Sequence, residues 1–307
     1  MIEPMDILGL GVASVDELLQ VDAYPEADAK SPIRDWQRQC GGLTATALVA
    51  ASRFGAHCAY AGTLGEGELS EYVLQCLRRE GVDVRHVRRQ SEARPVHAVV
   101  VVDATRHTRT ILFDATGAPA ATPDWPGEDV IRSARVLFVD HCGVAGMIRA
   151  ARVARDAGIP VVADLEDAAD RQFPELLGLV DHLILSRSFA ERLTGRPDPV
   201  AAVEHLWSSG SRRAAVVTCG GEGCWYIAAD SPGKARHQPA LPVQVVDTTG
   251  CGDVFHGVYA ASIARREDAA AAVRFAAAAA ALKATCPGGQ AGIPSRTAVE
   301  EFLKQRR

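Results

Sequence analysis

Short apolar runs alternate with segments of helical period along most of this chain, and that alternation restricts the fold more than any other feature. Ile7–Val12, His57–Gly62, Arg135–Asp140, Pro160–Asp164, His182–Ser186, Ala214–Cys219 and Val243–Val246 read as strands. Helices are predicted at Thr44–Phe54, Leu69–Glu80, Gly146–Ala157, from Asp198-Pro199 onward, and at about 251–265 and 268–285. Gly81 and Gly158 sit where helix C-terminal caps are expected. Asp198 followed by Pro199 reads as an N-cap with proline in the first helical position. A last helix is expected near Thr297, with Glu300 completing a capping box. Strands and helices in alternation imply an α/β fold: a mainly parallel central sheet with helices on both faces.

Two regions depart from the pattern. Residues at about 13–40 contain no good helix, and Leu18–Val21 and Ile33–Gln39 read as strands. Residues at about 96–114 read as two strands joined by the polar turn Asp103–Thr108. These four strands form a small β-sheet, expected as a lid over the carboxyl ends of the main strands. On this reading residues 1–307 are a single domain with the lid inserted. Apolar lid residues such as Leu18, Leu19 and Ile33 point to a homodimer formed through the lid, because exposed strand edges tend to be covered.

Composition limits the function classes. With 48% apolar and 23% charged residues the chain is globular rather than disordered. A net charge of −5 offers no electrostatic footing for nucleic acid. The longest apolar run, Phe275–Leu282, is far too short to span a bilayer, so no membrane association is expected. Glu3, Asp6 and Asp16 interrupt the early apolar stretch, so no secretory leader is expected. The eight cysteines are scattered and none forms CxxC, which predicts buried thiols in a cytoplasmic protein and no structural zinc.

The strongest chemical signal is the run from Val246 to Gly257, Val-Asp-Thr-Thr-Gly-Cys-Gly-Asp-Val-Phe-His-Gly, placed between a strand and a long helix. Gly250 and Gly252 let the backbone approach a ligand closely. The N–H groups of Gly250, Cys251 and Gly252 would converge on an anion at the helix N-terminus, whose dipole favours negative charge. Such a nest suits the charge that spreads over a phosphoryl group in transfer. Asp253, in the first helical turn, is placed to take a proton from an attacking hydroxyl.

This segment resembles the C-terminal signature of the ribokinase-like (PfkB) carbohydrate kinases, Asp-Thr-x-Gly-Ala/Cys-Gly-Asp. The resemblance extends over essentially the whole chain. Gly11 to Asp16 matches the family's Gly-x-x-x-x-Asp, and Gly41-Gly42 its paired glycine, followed by the helix ending Ala51-Ser52-Arg53-Phe54-Gly55-Ala56. Thr218, Gly220 and Gly223 match its Thr-x-Gly-x-x-Gly, and Pro287 to Pro294 its closing loop. The resemblance implies a three-layer α/β/α sandwich and ATP-dependent phosphorylation of a small sugar, with Mg2+ and, in many members, K+.

It also implies residue roles. Asp253 would be the catalytic base, with Gly250, Cys251 and Gly252 as the anion hole. Asp16, Gly41, Gly42 and Thr46 would contact the sugar, and Lys30 is a further candidate. Ser186, Thr218, Gly220, Gly223, Gly288 and Gly289 would lie along the nucleotide. Asp247 and Thr249 would hold a monovalent cation, largely through backbone oxygens.

Departures from the family pattern bear on metal and substrate. Thr46 stands where Asn is usual, and Ser186 and Phe189 replace the family's Asn and Glu, so no magnesium ligand carries over there. Ala45-Thr46, the Lys30/Trp36 spacing and Ala281-Leu282-Lys283 are similar to the sulfofructose and fructose-type kinases of the family. Asp114 would repel a sulfonate and no arginine follows Asp140, so a neutral ketose- or pentose-like sugar is expected. Alternatives are a nucleoside kinase, with Trp36 and Phe113 as the aromatic walls, and a silent sugar- or nucleotide-binding relative. Other partial motifs are set aside. Gly9-Leu10-Gly11-Val12-Ala13-Ser14 lacks the third glycine of a dinucleotide fingerprint, and Gly233-Lys234 is followed by Ala235 rather than Ser or Thr. His97, His107 and His256 are isolated; His256 is placed either to touch substrate or to pack.

Overall fold

The structure is a computed structural model that describes residues 3–106 and 108–306. His107 lies outside the described residues. The chain opens with β1 (Met5–Leu10), β2 (Ser14–Val21), β3 (Asp35–Gly41), α1 (Leu43–Arg53), β4 (Cys58–Tyr60), β5 (Thr63–Leu64), α2 (Glu68–Arg79) and β6 (Arg88–Arg89). It continues through β7 (Val96–Asp103), β8 (Thr108–Asp114), α3 (Glu128–Arg132), β9 (Ala134–Val139), α4 (Val144–Asp156), β10 (Val161–Asp164), α5 (Phe173–Leu179) and β11 (His182–Ser186). It ends with α6 (Arg187–Thr194), α7 (Pro199–Ser208), β12 (Ala214–Thr218), β13 (Cys224–Ala228), β14 (Ser231–Gln238), α8 (Cys251–Ala264), α9 (Ala269–Lys283) and α10 (Arg296–Lys304).

Eight strands form the central sheet in the order β14-β13-β12-β11-β10-β9-β1-β4. The six from β12 to β4 run parallel, and β13 and β14 add an antiparallel edge. Successive side chains of a strand point to opposite faces, so each parallel strand must be apolar on both. Ile7, Val136, Phe138, Val162, Ile184 and Val216 face one core under α1, α2, α8, α9 and α10. Leu8, Leu10, Leu137, Val139, Leu183 and Leu185 face a second core under α3 to α7. The result is the expected three-layer α/β/α sandwich.

The lid is a four-stranded sheet, β3-β2-β7-β8. Its first strand begins after only three intervening residues from the carboxyl end of β1, and β3 leads directly into α1, so the lid grows from the carboxyl edge of the main sheet. β2 starts at Ser14, earlier than the run Leu18–Val21 suggests, and this places Asp16 on the strand. Register then sorts the lid by face. Asp16 lies opposite Gln39 and Ala98, and Ala98 opposite Phe113, so these four share one row. Leu19 pairs with Trp36 one register out of phase, which puts Trp36 on the other face.

Several local expectations are corrected. Val243–Val246 forms no strand; the segment after β12 closes instead as the β13–β14 hairpin. The helix expected from Asp198-Pro199 forms as α7 with Asp198 as its cap, but a further helix, α6, precedes it and ends at Gly195 in the left-handed conformation (φ 67°). The last helix starts at Arg296, beside the expected Thr297, but its cap differs. Ser295 caps it by accepting the Ala298 N–H at 3.3 Å, while Glu300 pairs with Arg296 at 2.7 Å and closes no capping box. The eight cysteines are free; Cys40, Cys58, Cys76 and Cys224 are buried, and the other four are only partly so.

Candidate active site

The turn that ends at Gly250 forms one end of the candidate site. Gly250 is left-handed (φ 76°), and a Cβ there would stand 2.6 Å from the Gly289 carbonyl oxygen. Only glycine satisfies both conditions, and this seats the closing loop directly against the N-terminus of α8. The Cys251 N–H donates to the Thr248 carbonyl at 3.2 Å. Among the described residues the N–H groups of Gly250, Gly252 and Asp253 have no backbone acceptor. The open donors therefore differ from the expected anion-hole trio: the Cys251 N–H closes a turn, and Asp253's own N–H is open. The Cys251 thiol packs toward the Ala280 carbonyl, 3.5 Å away, and burial pushes its pKa up, so it is a protonated packing group.

Asp253 projects from the first turn of α8. Burial first, then the neighbouring carboxylates Asp164, Glu166, Asp16 and Asp140, push its carboxyl well above the usual range. These side chains come from β2, β9, β10 and their following loops, so the carboxyl ends of adjacent strands converge on one space, where open α/β sheets bind ligands. Asp16 accepts the Ser14 hydroxyl at 2.7 Å, and burial raises its pKa too. A Cβ at Gly41 would fall onto the Asp16 carboxylate, so the paired glycine clears the space in which that carboxylate sits. Gly42, with φ 94°, turns the chain into α1.

Asp140, which no motif singles out, also belongs to the candidate site. It is fully buried at the end of β9 and accepts the Val12 N–H at 2.7 Å, the Thr44 hydroxyl at 2.8 Å and the Cys142 N–H at 2.8 Å. It thereby holds the β1–β2 corner that carries Asp16. The signal was an acid at the end of an otherwise apolar strand. Gln39 and Gln290 were also missed: Gln39 accepts the Gly289 N–H at 3.1 Å, and Gln290 donates to Thr46 at 3.1 Å. Thr46 thus ties α1 to the closing loop. From β8, Arg109 reaches Thr248 at 3.3 Å and sets a guanidinium beside the anion-facing turn.

Thr218, Gly220 and Gly223 line an apolar cavity of about 230 Å³ together with Cys251, Gly252 and Ala280. Small side chains on α9 open it, since alanines leave room where a larger residue would fill the space. Ser186 stands beside Thr218 in the sheet register, but its hydroxyl caps α6 by accepting the Phe189 N–H at 3.3 Å. Phe189 is core, edge-on to Phe173, so a packed helix start occupies the place of the family's Asn and Glu.

Asp247 is held by its own loop. Its two oxygens accept the Thr249 and Gly288 N–H groups, each at 2.8 Å. Burial alone would raise its pKa, but these donors and Lys283 hold it below the ordinary value. His256 is buried under the site. Its ring nitrogens lie 2.8 Å from the Gly252 carbonyl and 3.1 Å from that of Ile184, with Asp164 at 3.3 Å, so it packs α8 onto the sheet.

Two expected contacts do not form. Lys30 is exposed on the β2–β3 loop, beyond the Gln20–Asp35 pair, and that pair lies roughly 13 Å along the strands from Asp16. Asp114 shares a row with His97 rather than Asp16 and pairs with Arg94 at 2.7 Å, so it faces away from the sugar side and cannot select against a sulfonate there.

Residues 10–296 match the model of the pfkB family of carbohydrate kinases. The chain is 27% identical to a ribokinase of Haemophilus influenzae, covering 96% of this chain and 97% of the relative. It is 26% identical to a ketohexokinase of Mus musculus, covering 89% and 94%. The solved structure of Arabidopsis thaliana ribokinase with ribose and ATP superimposes with a TM-score of 0.85 at 25% identity, covering 99% of each chain.

Proposed function

Because this chain belongs to the pfkB family of carbohydrate kinases, we propose that it transfers the γ-phosphoryl group of ATP to a hydroxyl of a small neutral sugar, ketose- or pentose-like. The observation that carries the reading is the position of Asp253. It stands at a helix N-terminus that lies between the Thr218–Gly223 cavity and the Asp16 row of the lid.

The nucleotide base and ribose fit the apolar cavity beside the α9 alanines, with the phosphates directed toward the open N–H groups of Gly250, Gly252 and Asp253. Asp16 accepts sugar hydroxyls, and Phe113, on the same row, covers the sugar's apolar face. Asp253 accepts the hydroxyl proton on its carboxylate as the new P–O bond forms. Its raised pKa makes the ionised carboxylate a stronger proton acceptor than an exposed one. The helix dipole, the N–H donors and Arg109 stabilise the charge on the transferring group. Lid closure excludes water and so limits hydrolysis of ATP.

Magnesium, which keeps several waters and binds largely through nucleotide phosphates, supplies further charge neutralisation. Among the described residues no group of three or more His, Cys, Asp or Glu side chains could hold an ion by itself. Asp164, Glu166 and Asp253 are the carboxylates that would face such an ion through water.

A neutral sugar is favoured because the carboxylates of Asp16 and Asp253 face the sugar end, with that of Asp140 buried behind them, while the cation Arg109 stands at the phosphate end. A nucleoside is disfavoured because its two aromatic walls separate: Phe113 faces the site and Trp36 does not. No described helix is long and apolar enough to cross a membrane. Trp36 and Leu112, each 57% exposed on the outer face of the lid, support a homodimer formed there.

The test is ADP release from ATP–magnesium with ribose, fructose-like ketoses, a sulfo-sugar and adenosine. Turnover with a neutral sugar is expected. A clear preference for adenosine or the sulfo-sugar, or no turnover with any of them, refutes the reading.

A further inference from the structure

The described helix α9 ends on Lys283, whose side chain is completely buried. Lysine is almost never fully buried without a partner. Its partners here are carbonyl oxygens: Nζ donates to the Asp247 carbonyl at 2.9 Å and approaches that of Cys286 at 3.5 Å. Among the described residues no carboxylate lies within ion-pair distance of this ammonium, because the Asp247 carboxylate is turned to the Thr249 and Gly288 N–H groups. A cation coordinated by main-chain oxygens is the arrangement that a bound monovalent ion would adopt. The loop is the one in which the family resemblance places such an ion. A potassium ion does not fit beside Lys283, since it would need the same Asp247 carbonyl and would meet a positive charge already in place.

We propose that the Lys283 ammonium is a built-in replacement for the monovalent cation, so that the enzyme works without potassium. The proposal rests on the kinase reading above and specifies how that site is regulated. Ammonium and potassium ions have the same charge and similar radii, so one can do the positional task of the other. Lys283 acts as a positioning residue. It ties the end of α9 to the strand-to-helix turn, and that turn orients the N–H groups of Gly250 and Gly252. Its charge also lies behind the anion-facing turn rather than on the substrate.

The experiment uses the full chain and a sugar that turns over in the panel above. Initial rates are measured in potassium, sodium and tetramethylammonium chlorides at one ionic strength. Wild-type rates within about twofold of one another are expected, and a rise of more than about fivefold specific to potassium overturns the proposal. Lys283→Ala, which leaves room for an ion, is expected to lose at least about tenfold in kcat in tetramethylammonium and to regain activity with ammonium or potassium. Full activity of the variant without either ion, or a folded variant that neither ion rescues, also overturns it.

Thermal unfolding provides a readout independent of turnover. Potassium should leave the wild-type Tm where tetramethylammonium puts it, and a potassium-specific rise refutes the replacement. This comparison needs no variant, so it decides the matter even where Lys283→Ala does not fold. A wild type inactive in every salt would overturn the kinase reading, and the melting comparison would still judge Lys283.

Discussion

Replacing Asp253 with Asn should separate activity from stability in opposite directions. Asn keeps the size and removes the proton acceptor. A positioned base contributes about 10²–10⁴-fold, which corresponds to about 3–5 kcal/mol of barrier at 1.36 kcal/mol per decade. The stability effect follows from the neighbours. In the folded chain, burial and the carboxylates of Asp164, Glu166, Asp16 and Asp140 raise the Asp253 pKa well above 3.8. An acid whose pKa is higher folded than unfolded binds its proton more tightly when folded. Its contribution is therefore favourable below the unfolded pKa and is lost as pH rises through the folded pKa. At pH 8 the ionised Asp253 is a net cost to the fold, by about 1.4 kcal/mol for each unit of elevation. Asp253→Asn removes that cost, so its Tm at pH 8 should equal or exceed the wild type, with the difference shrinking toward pH 4. The wild-type kcat/KM should fall on the acid side through the raised pKa, and the variant should lack that limb. The assays are coupled ADP release across pH and thermal unfolding at pH 4 and pH 8. A variant that keeps more than about a tenth of wild-type kcat refutes the base assignment. A variant that loses both activity and stability refutes the electrostatic argument, since it would make Asp253 a structural residue.

Three further outcomes are expected. Gly250→Ala must hold a left-handed conformation and push its Cβ to 2.6 Å from the Gly289 oxygen, so it should lose about 1–2 kcal/mol in denaturant melts and most of its turnover. Cys251→Ala should stay within about threefold of wild-type kcat, because its thiol only packs on α9; a loss of about a hundredfold would revive thiol catalysis. Sedimentation should show a dimer for the wild type and a monomer for Trp36→Glu with Leu112→Glu, and an unchanged dimer would place the contact elsewhere.

Local patterns carried much of the fold. The alternation of strands and helices predicts the two-cored parallel sheet, because each strand's inward and outward residues must both be apolar. Gly250 and Gly252 at the start of a long helix lead to the expectation of an anion site, since backbone conformation and helix dipole are local properties. Boundaries were less legible where two signals competed. Thr297 with Glu300 imitates a capping box two residues from the true cap at Ser295, and Val243–Val246 has strand composition with no partner strand.

What the sequence determined by itself was the layer architecture, the helix start that holds Asp253 and the class of chemistry. Tertiary structure alone decided which side chains share a space. Asp16, Gln39 and Phe113 are far apart in the chain, and only the lid's register puts them on one row while sending Trp36 and Asp114 to the other face. Asp140 acquires its role from donors on two other elements. Lys283 would be an unremarkable helix-end lysine but for the loop, thirty-six residues earlier, whose Asp247 carbonyl it reaches. The reason is physical: conformation is set by neighbours along the chain, whereas the facing of a side chain and the partner of a buried charge are set by pairings between distant segments.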